Sequence, residues 1–306
     1  MNTLLKTSLF KKHVILKANM QPFGNYVMPI SYTGILDEYT AVRNTVGLFD
    51  VSHMGEFLIS GEKADDFLQY LTINDISKLK NKQIQYSAMC YENGGIVDDI
   101  LIYKNNKNDY MLVVNASNIS KNYNWIKSKI TCDVDFVNIS NKTSLIALQG
   151  PESFKLMSVI SKTDISNLEY YTFLNNCNIA DKKCVISRTG YTGEFGFEIY
   201  ADNKDISIIW DELISGGQSY GILPAGLGCR DILRLEMGYA LYGNDISAKF
   251  NPYESGLSWI TKIKNNNFIG KESLINKDFK RKQIAFEMID RCIPRSGYSI
   301  EIRNIK

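Results

Sequence analysis

Hydrophobic positions change period several times along the chain. Ile35, Tyr39 and Val42 fall on one helical face, which predicts a helix across ILDEYTAVRNTVGLF that stops near Gly47. GEFLISG alternates apolar and polar side chains and predicts a strand, and EKADDFLQYLTIND predicts a helix with Phe67, Tyr70 and Leu71 inward. KQIQYSAMCYENGGIVDDILIYKNNKNDYMLVVNAS predicts three strands with turns at ENGG and KNNKND. Further on, NISKNYNWIKSKI predicts a helix capped by Asn118 or Ser120. SLIALQGPESFKLMSVI predicts a strand, a turn at Gly150-Pro151 and a helix. KKCVISRTGYTGEFGFEIYA predicts a hairpin around a glycine-rich turn, followed by helices in DISIIWDELISGGQSYG and LGCRDILRLEMGYALYG. Near the start, QPFGNYVMPISY places Pro22, Gly24 and Pro29 among aromatics and predicts an ordered loop against a strand. Strands and helices mingle without βαβ alternation, so the pattern predicts an α+β fold.

Composition narrows this picture. A chain of 306 residues predicts one large composite domain or two to three subdomains. Its 44% hydrophobic and 22% charged content is that of a globular protein with a sizeable core. A net charge of +2 without a basic block disfavours nucleic acid as a partner. The cysteines are scattered without C-x-x-C spacing, as in a reduced cytoplasmic protein. His13 and His53 are the only histidines, which excludes a multi-histidine metal site. The N-terminal stretch lacks the features of a secretory signal, and no apolar run is long enough to cross a membrane. Charge rises at residues 276–283 before strand-like IAFEMI, which predicts a division into residues 1–276 and 277–306.

Candidate chemistry concentrates in a few motifs. In GGIVDDILIY, Asp98 and Asp99 are adjacent on one strand and must face opposite ways. A desolvated carboxylate in a cleft could serve an amine nucleophile, whereas an acid bracing the neighbouring turn is the plain alternative. Periodicity does not choose between them. GYTGEFG is not a dinucleotide fingerprint and leads into a strand; a turn with left-handed glycines and a binding loop are equally good accounts of it. Glu198 follows between Phe197 and Ile199, so it is either partnered and buried or on an exposed face. Arg230 and Arg234 lie one helical turn apart, and either an intrahelical acid such as Asp231 or Glu236, or an anionic or heteroaromatic ligand, answers their charge. His53 has no triad partner and reads as structural, and Trp259 as core.

Taken in order, VRNTVGLFDVSHMGEF, GGIVDDILIY, IALQGP, TGYTGEFGFEIY, GLGCRDILRLEMGYALYGNDI and GLSWI closely resemble the T-protein of the glycine cleavage system, a tetrahydrofolate-dependent aminomethyltransferase. The resemblance runs from about His13 to about Gly297. It implies a multi-subdomain cloverleaf around a central folate channel, with residues 277–306 as the start of an incomplete C-terminal β-barrel subdomain. It implies a reaction in which the one-carbon unit passes from the aminomethylated lipoyl arm of the H-protein to tetrahydrofolate, releasing ammonia and forming 5,10-methylenetetrahydrofolate. Tetrahydrofolate is then a co-substrate, no metal is needed, and the H-protein is the partner. Carried over by motif, Asp98 is the catalytic acid, Glu198 and Arg230 contact folate, and Met54, Asn115, Tyr191 and Trp259 line the same site with them. Two alternatives stay in view. One is a folate-binding but inactive shortened copy, since family members continue past this end. The other is a further folate-dependent one-carbon transferase or demethylase of the superfamily. A folate-binding helper of iron–sulfur maintenance is disfavoured, because SRTGYTGEFGFE has no cysteine where such relatives carry K-G-C-Y-x-G-Q-E.

Overall fold

A computed structural model describes residues 4–264, 266–275, 279, 281–295 and 297–299. The chain opens with helix α1 (Phe10–Ile15), a hairpin of β1 (Asn19–Phe23) and β2 (Tyr26–Ser31), helix α2 (Ile35–Asn44), and strands β3 (Val46–Asp50) and β4 (Gly55–Ser60). It continues with α3 (Ala64–Leu71), β5 (Ile84–Cys90), β6 (Ile96–Asn106), β7 (Asp109–Val114), α4 (Ile119–Lys129), β8 (Asp135–Asn138), β9 (Thr143–Gln149) and α5 (Ser153–Ile160). Then come β10 (Phe173–Ile179), β11 (Lys182–Ser187), β12 (Gly196–Asp202), α6 (Ile206–Gly216), β13 (Ile222–Pro224), α7 (Leu227–Glu236) and α8 (Lys271–Leu274). A six-stranded sheet runs β10-β11-β12-β9-β3-β13 and a five-stranded sheet runs β5-β6-β7-β4-β8. All named pairings are antiparallel except β13 with β3.

Period-2 burial stacks these sheets in layers. Phe197 and Ile199 of β12 enter a cluster with Leu156, Ile209 and Trp210 of α5 and α6. Ile100 and Ile102 of β6 enter another with Phe67 and Leu68 of α3 and Ile126 of α4. The remaining faces meet between the sheets, where Leu101, Tyr103, Val113, Ala147 and Tyr200 pack together. Each sheet therefore has helices outside and the other sheet inside, a mixed α/β arrangement of several sheets.

Three local expectations need correction. QPFGNYVMPISY is a hairpin, with Pro22 opposite Val27 and Pro29 opposite Met20. A two-stranded sheet is all edge, so a proline can leave the ladder unbroken by turning its missing N–H outward. Tyr70 is exposed rather than inward, while Phe67 and Leu71 are buried. The strands expected in IAFEMIDRCIPRSGYSIEIRNIK do not form among residues 284–295 and 297–299, which have no ladder partner there; residues 300–306 lie outside the described residues.

Asp50, at the end of β3, ties the N-terminal helix to the six-stranded sheet. It accepts from Thr7 Oγ1 at 2.6 Å, pairs with His13 Nε2 at 2.8 Å and accepts from the Ser52 N–H at 2.9 Å. Burial alone would raise its carboxyl, but the bond and charge of His13, with Ser52 and Thr7, hold it below the usual range. A depressed folded-state value stabilises the fold above the unfolded carboxylate range near ~4 and is lost as pH falls through the folded value. Asp50→Asn is expected to cost about 2–4 kcal/mol at pH 7 and much less at pH 3, read from urea midpoints.

Candidate functional site

Asp98 and Asp99 do face opposite ways. Asp98 shares the helix-facing side of β6 with Ile100 and Ile102, whereas Asp99 shares the inter-sheet side with Leu101 and Tyr103. Asp98 is 0% exposed. Its Oδ1 accepts from Asn115 Nδ2 at 2.9 Å and Asn118 Nδ2 at 2.7 Å. Its Oδ2 accepts from the Asn115 N–H at 3.2 Å and Asn122 Nδ2 at 2.5 Å. Burial and the Asp99 charge push its carboxyl up to about 7, against the pull of the three asparagines. All these contacts are N–H donors, so the hydrogen bonding itself suits the carboxylate. This arrangement braces the start of α4: Asn118 occupies the N-cap position but makes no side-chain cap bond, its amide going to Asp98 instead. Asp98, the acid singled out by resemblance, is thus turned into the protein and has no open side.

Asp99 has one. It is half-buried, with Oδ1 accepting from Asn115 Nδ2 at 2.8 Å and Oδ2 from Tyr86 Oη at 3.0 Å. Burial pushes its carboxyl up to about 6, while Tyr86, Asn115 and the nearby Lys121 charge pull it back. Tyr86 stacks on Trp259 with ring centroids 6.0 Å apart, and Trp259 is 62% exposed, so it is a surface platform rather than the core residue expected. Asp99 is also close enough to Tyr191 to raise its phenol, beyond the larger effect of burial.

From Tyr191 the site continues to α7. The Tyr191 hydroxyl donates to the Ala240 carbonyl, and its ring stacks on Tyr239 at 5.7 Å. The Arg230 guanidinium lies 4.4 Å from the centre of the Tyr191 ring. Burial lowers its pKa; Tyr191 and Glu198 oppose that. Among the described residues Arg230 has no hydrogen-bond or ion-pair partner, because the intrahelical answer belongs to Arg234, held by Asp231 at 2.8 Å and by Asp245. Glu236 pairs instead with Arg43 at 2.6 Å.

Glu198 is buried on the inter-sheet side of β12. Burial raises its carboxyl, and Thr189 and Arg230 pull it down. Its Oε2 accepts from Thr189 Oγ1, leaving Oε1 without a partner among the described residues. The turn before it is stapled: Gln149 Nε2 donates to the Thr189 carbonyl at 3.1 Å and Thr192 Oγ1 donates to Gln149 Oε1 at 2.9 Å. A Cβ on Gly190 would lie 1.9 Å from Gln149 Oε1, and Gly193 has φ +83°, so these glycines serve the turn. Met54 is half-buried against the inter-sheet cluster. His53 is buried, its pKa lowered to about 4 by burial and the Arg230 charge.

Asp99, Asn115, Tyr191, Glu198, Arg230 and Trp259 therefore form one connected set, with Met54 on the adjoining cluster and Asp98 behind it. A groove of about 400 Å³ lined in part by Met111, Phe173, Cys184 and Tyr200 contains none of these seven residues or Asp98. Sequence reasoning did not single out Tyr86, and it weighed Asp99 only beside Asp98, which the resemblance preferred. The β5–β6 register sets Ala88 opposite Asp99 and Tyr86 opposite Leu101, which puts Tyr86 on the Asp99 face. Counting alternate positions back from the ENGG turn was the signal available for it. Among the described residues no cluster of three or more His, Cys, Asp or Glu side chains is set to hold a metal ion. No helix among them is long and apolar enough to cross a membrane.

What the set can do chemically is hold a flat, donor-bearing ring system between aromatic walls, with carboxylates and one guanidinium at its edges. The GCVT N-terminal domain family matches residues 9–265. The aminomethyltransferase of Thermoanaerobacter sp. (strain X514) is 44% identical over 310 residues, covering 100% of this chain and 84% of that protein. The aminomethyltransferase of Chloroherpeton thalassium is 46% identical over 298 residues, covering 96% and 82%. The crystal structure of glycine cleavage system aminomethyltransferase T from Bartonella henselae superposes with a TM-score of 0.82 at 30% identity, covering 88% of this chain and 73% of that one.

Proposed function

The chain belongs to the aminomethyltransferase (T-protein) family of the glycine cleavage system, and from that membership we propose that it moves a one-carbon unit from the aminomethylated lipoyl arm of an H-protein to tetrahydrofolate, and from the geometry of the site that Asp99, in place of Asp98, is its catalytic carboxylate. Tetrahydrofolate supplies the nitrogens that take up the carbon, so that ammonia and the dihydrolipoyl carrier leave and 5,10-methylenetetrahydrofolate forms. The observation that carries this is Asp99 itself: a half-buried carboxyl on the inter-sheet side of β6, flanked by Tyr86, Tyr191 and Trp259.

The residues present suit folate. Glu198 keeps Oε1 free for the paired N–H groups of a pterin edge. Arg230 lies over Tyr191 with its N–H groups unengaged, ready for the ring carbonyl or a folate carboxylate. Tyr86, Tyr191 and Trp259 give flat walls to the pterin and aminobenzoyl rings. Asp99, placed by Asn115 and Tyr86, offsets positive charge that develops at the carbon in transit, which is electrostatic preorganisation rather than nucleophilic catalysis. Asp98 takes no part in the chemistry and acts as a positioning residue, holding Asn115 and the start of α4. The finer architecture follows the family: a cloverleaf of subdomains around a folate channel, with residues 1–276 as the folate-binding unit, residues 277–306 as a further segment, and the cytoplasm as the setting.

Single-turnover ammonia release from aminomethylated H-protein tests the function directly. Release is expected to be fast with tetrahydrofolate and slow without it; equal rates, or none, would exclude the transferase and leave folate binding alone. Trp259→Ala is expected to weaken folate binding about three- to tenfold, by losing one wall, while stability stays within about 0.5 kcal/mol because the indole is largely exposed. Calorimetric titration with a thermal melt of the same samples checks both.

A further inference from the structure

Glu198 stands at the end of a row of buried hydroxyls. Thr189 Oγ1 donates to its Oε2 and lies 2.8 Å from Ser187 Oγ. Ser187 Oγ lies 3.1 Å from Tyr103 Oη, which lies 2.8 Å from Tyr200 Oη. Relative exposures are 7% for Glu198, 3% for Thr189, 0% for Ser187, 1% for Tyr103 and 3% for Tyr200, so water does not compete for these bonds. Tyr103 comes from β6 of the five-stranded sheet and the others from β11, β12 and the turn between them. The row thus crosses the gap between the sheets.

Each hydroxyl has one proton to give, while a carboxylate can only accept. An ionised Glu198 therefore orients the row in one direction: Tyr200 donates to Tyr103, Tyr103 to Ser187, Ser187 to Thr189 and Thr189 to Glu198. Ser187 Oγ has an alternative acceptor in the Glu198 carbonyl, at the longer distance of 3.3 Å. Bonds aligned this way polarise one another and strengthen the last one, to the charge, by about 10–30% per bond. A carboxylic acid at the same place reverses the end of the row and loses that cooperation.

We propose that the row Tyr200, Tyr103, Ser187 and Thr189 is a positioning relay that keeps Glu198 a carboxylate for the donor edge of the pterin, which makes Tyr103 a determinant of folate affinity from the opposite sheet. This rests on Glu198 as the pterin-binding acid. The other groups facing Glu198 are Arg230 of α7, which favours the carboxylate, and the phenols of Tyr170 and Tyr171 before β10, which are neutral. Glu56 of β4 lies near Tyr200, and burial raises its carboxyl well above the usual carboxylate range.

The test is calorimetric titration with 5-methyltetrahydrofolate, which cannot accept a carbon at N5, between pH 5.5 and 8.5. Wild type, Tyr103→Phe, Ser187→Ala and Glu198→Gln are compared, each with a thermal melt. Protonating Glu198 competes with the pterin, so wild-type affinity falls on acidification. In Tyr103→Phe and Ser187→Ala the fall is expected to begin roughly half a pH unit higher, giving about threefold weaker binding at the acid end and convergence with wild type at pH 8.5. Glu198→Gln is expected to bind weakly at every pH with no acid limb. If Glu198→Gln loses the limb but the two hydroxyl variants keep its midpoint, or weaken uniformly, the relay is overturned and Glu198 keeps its role. If Glu198→Gln binds and titrates like wild type, it is the pterin assignment that fails.

Discussion

Asp99→Asn is expected to lower the rate of aminomethyl transfer about 10²–10³-fold at saturating folate and H-protein, the usual cost of removing one preorganised electrostatic partner of the transition state. The amide matches the carboxylate in size, and its oxygen can still accept from Tyr86, so the strand and its stack on Trp259 persist. What disappears is the negative charge on the inter-sheet side of β6. Folate binding is expected to change little, because Glu198, Arg230 and the aromatic walls are untouched. A fall in kcat with KM for tetrahydrofolate within about threefold would fit a group that acts in the transition state rather than in binding. A thermal melt close to wild type would show that the fold survives.

Asp98→Asn is expected to do the reverse. Four N–H contacts converge on its two oxygens, from Asn115, Asn118 and Asn122. Replacing one oxygen by an amino group sets donors against donors in a site with no access to water. The cost is about 2–4 kcal/mol of stability, or a fall in Tm of roughly 5–10 °C in a chain of this size. The molecules that stay folded are expected to transfer at a rate within a few-fold of wild type, since the Asp99 carboxyl keeps its Tyr86 and Asn115 contacts. Urea midpoints and activity per folded molecule separate the two effects.

The contrast between these neighbours shows what the sequence could and could not reveal. Alternation established that the acids face different ways, and it did so correctly. Which one faces the cleft depends on which side of β6 the helices cover, and that is a tertiary fact. The asparagines of NASNISKN held a trace of it. Asn115, Asn118 and Asn122 recur at helical spacing at the start of α4, an amide face with no reason to exist unless an acid lies beneath it. The helices α2, α4, α5 and α6 and the three strands β5 to β7 were legible because their apolar periods are long and clean. The β1–β2 hairpin was not, because Pro22 and Pro29 argue against a strand wherever both edges are paired, and here they are not. Trp259 misled for a related reason: a lone indole is usually core, but this one finds its apolar partner in the face of Tyr86 at the surface. Spacing left Arg230 and Arg234 alike and only the resemblance named the first; Asp231 and Asp245 hold the second and leave the first open.

The pH dependence of single-turnover methylene transfer at tetrahydrofolate concentrations that saturate the site at every pH, in wild type, Asp98→Asn and Asp99→Asn from pH 5 to 8, bears most directly on Asp99 as the catalytic carboxylate. Burial pushes the Asp99 carboxyl up to about 6, and the charged form is the useful one, so the wild-type rate rises with pH through that value. The acid limb is expected to persist in folded Asp98→Asn and to vanish from Asp99→Asn, leaving a flat rate about 10²–10³-fold lower. Full transfer with an intact limb in Asp99→Asn, alongside its loss in folded Asp98→Asn, would return the chemistry to the acid on the helix side.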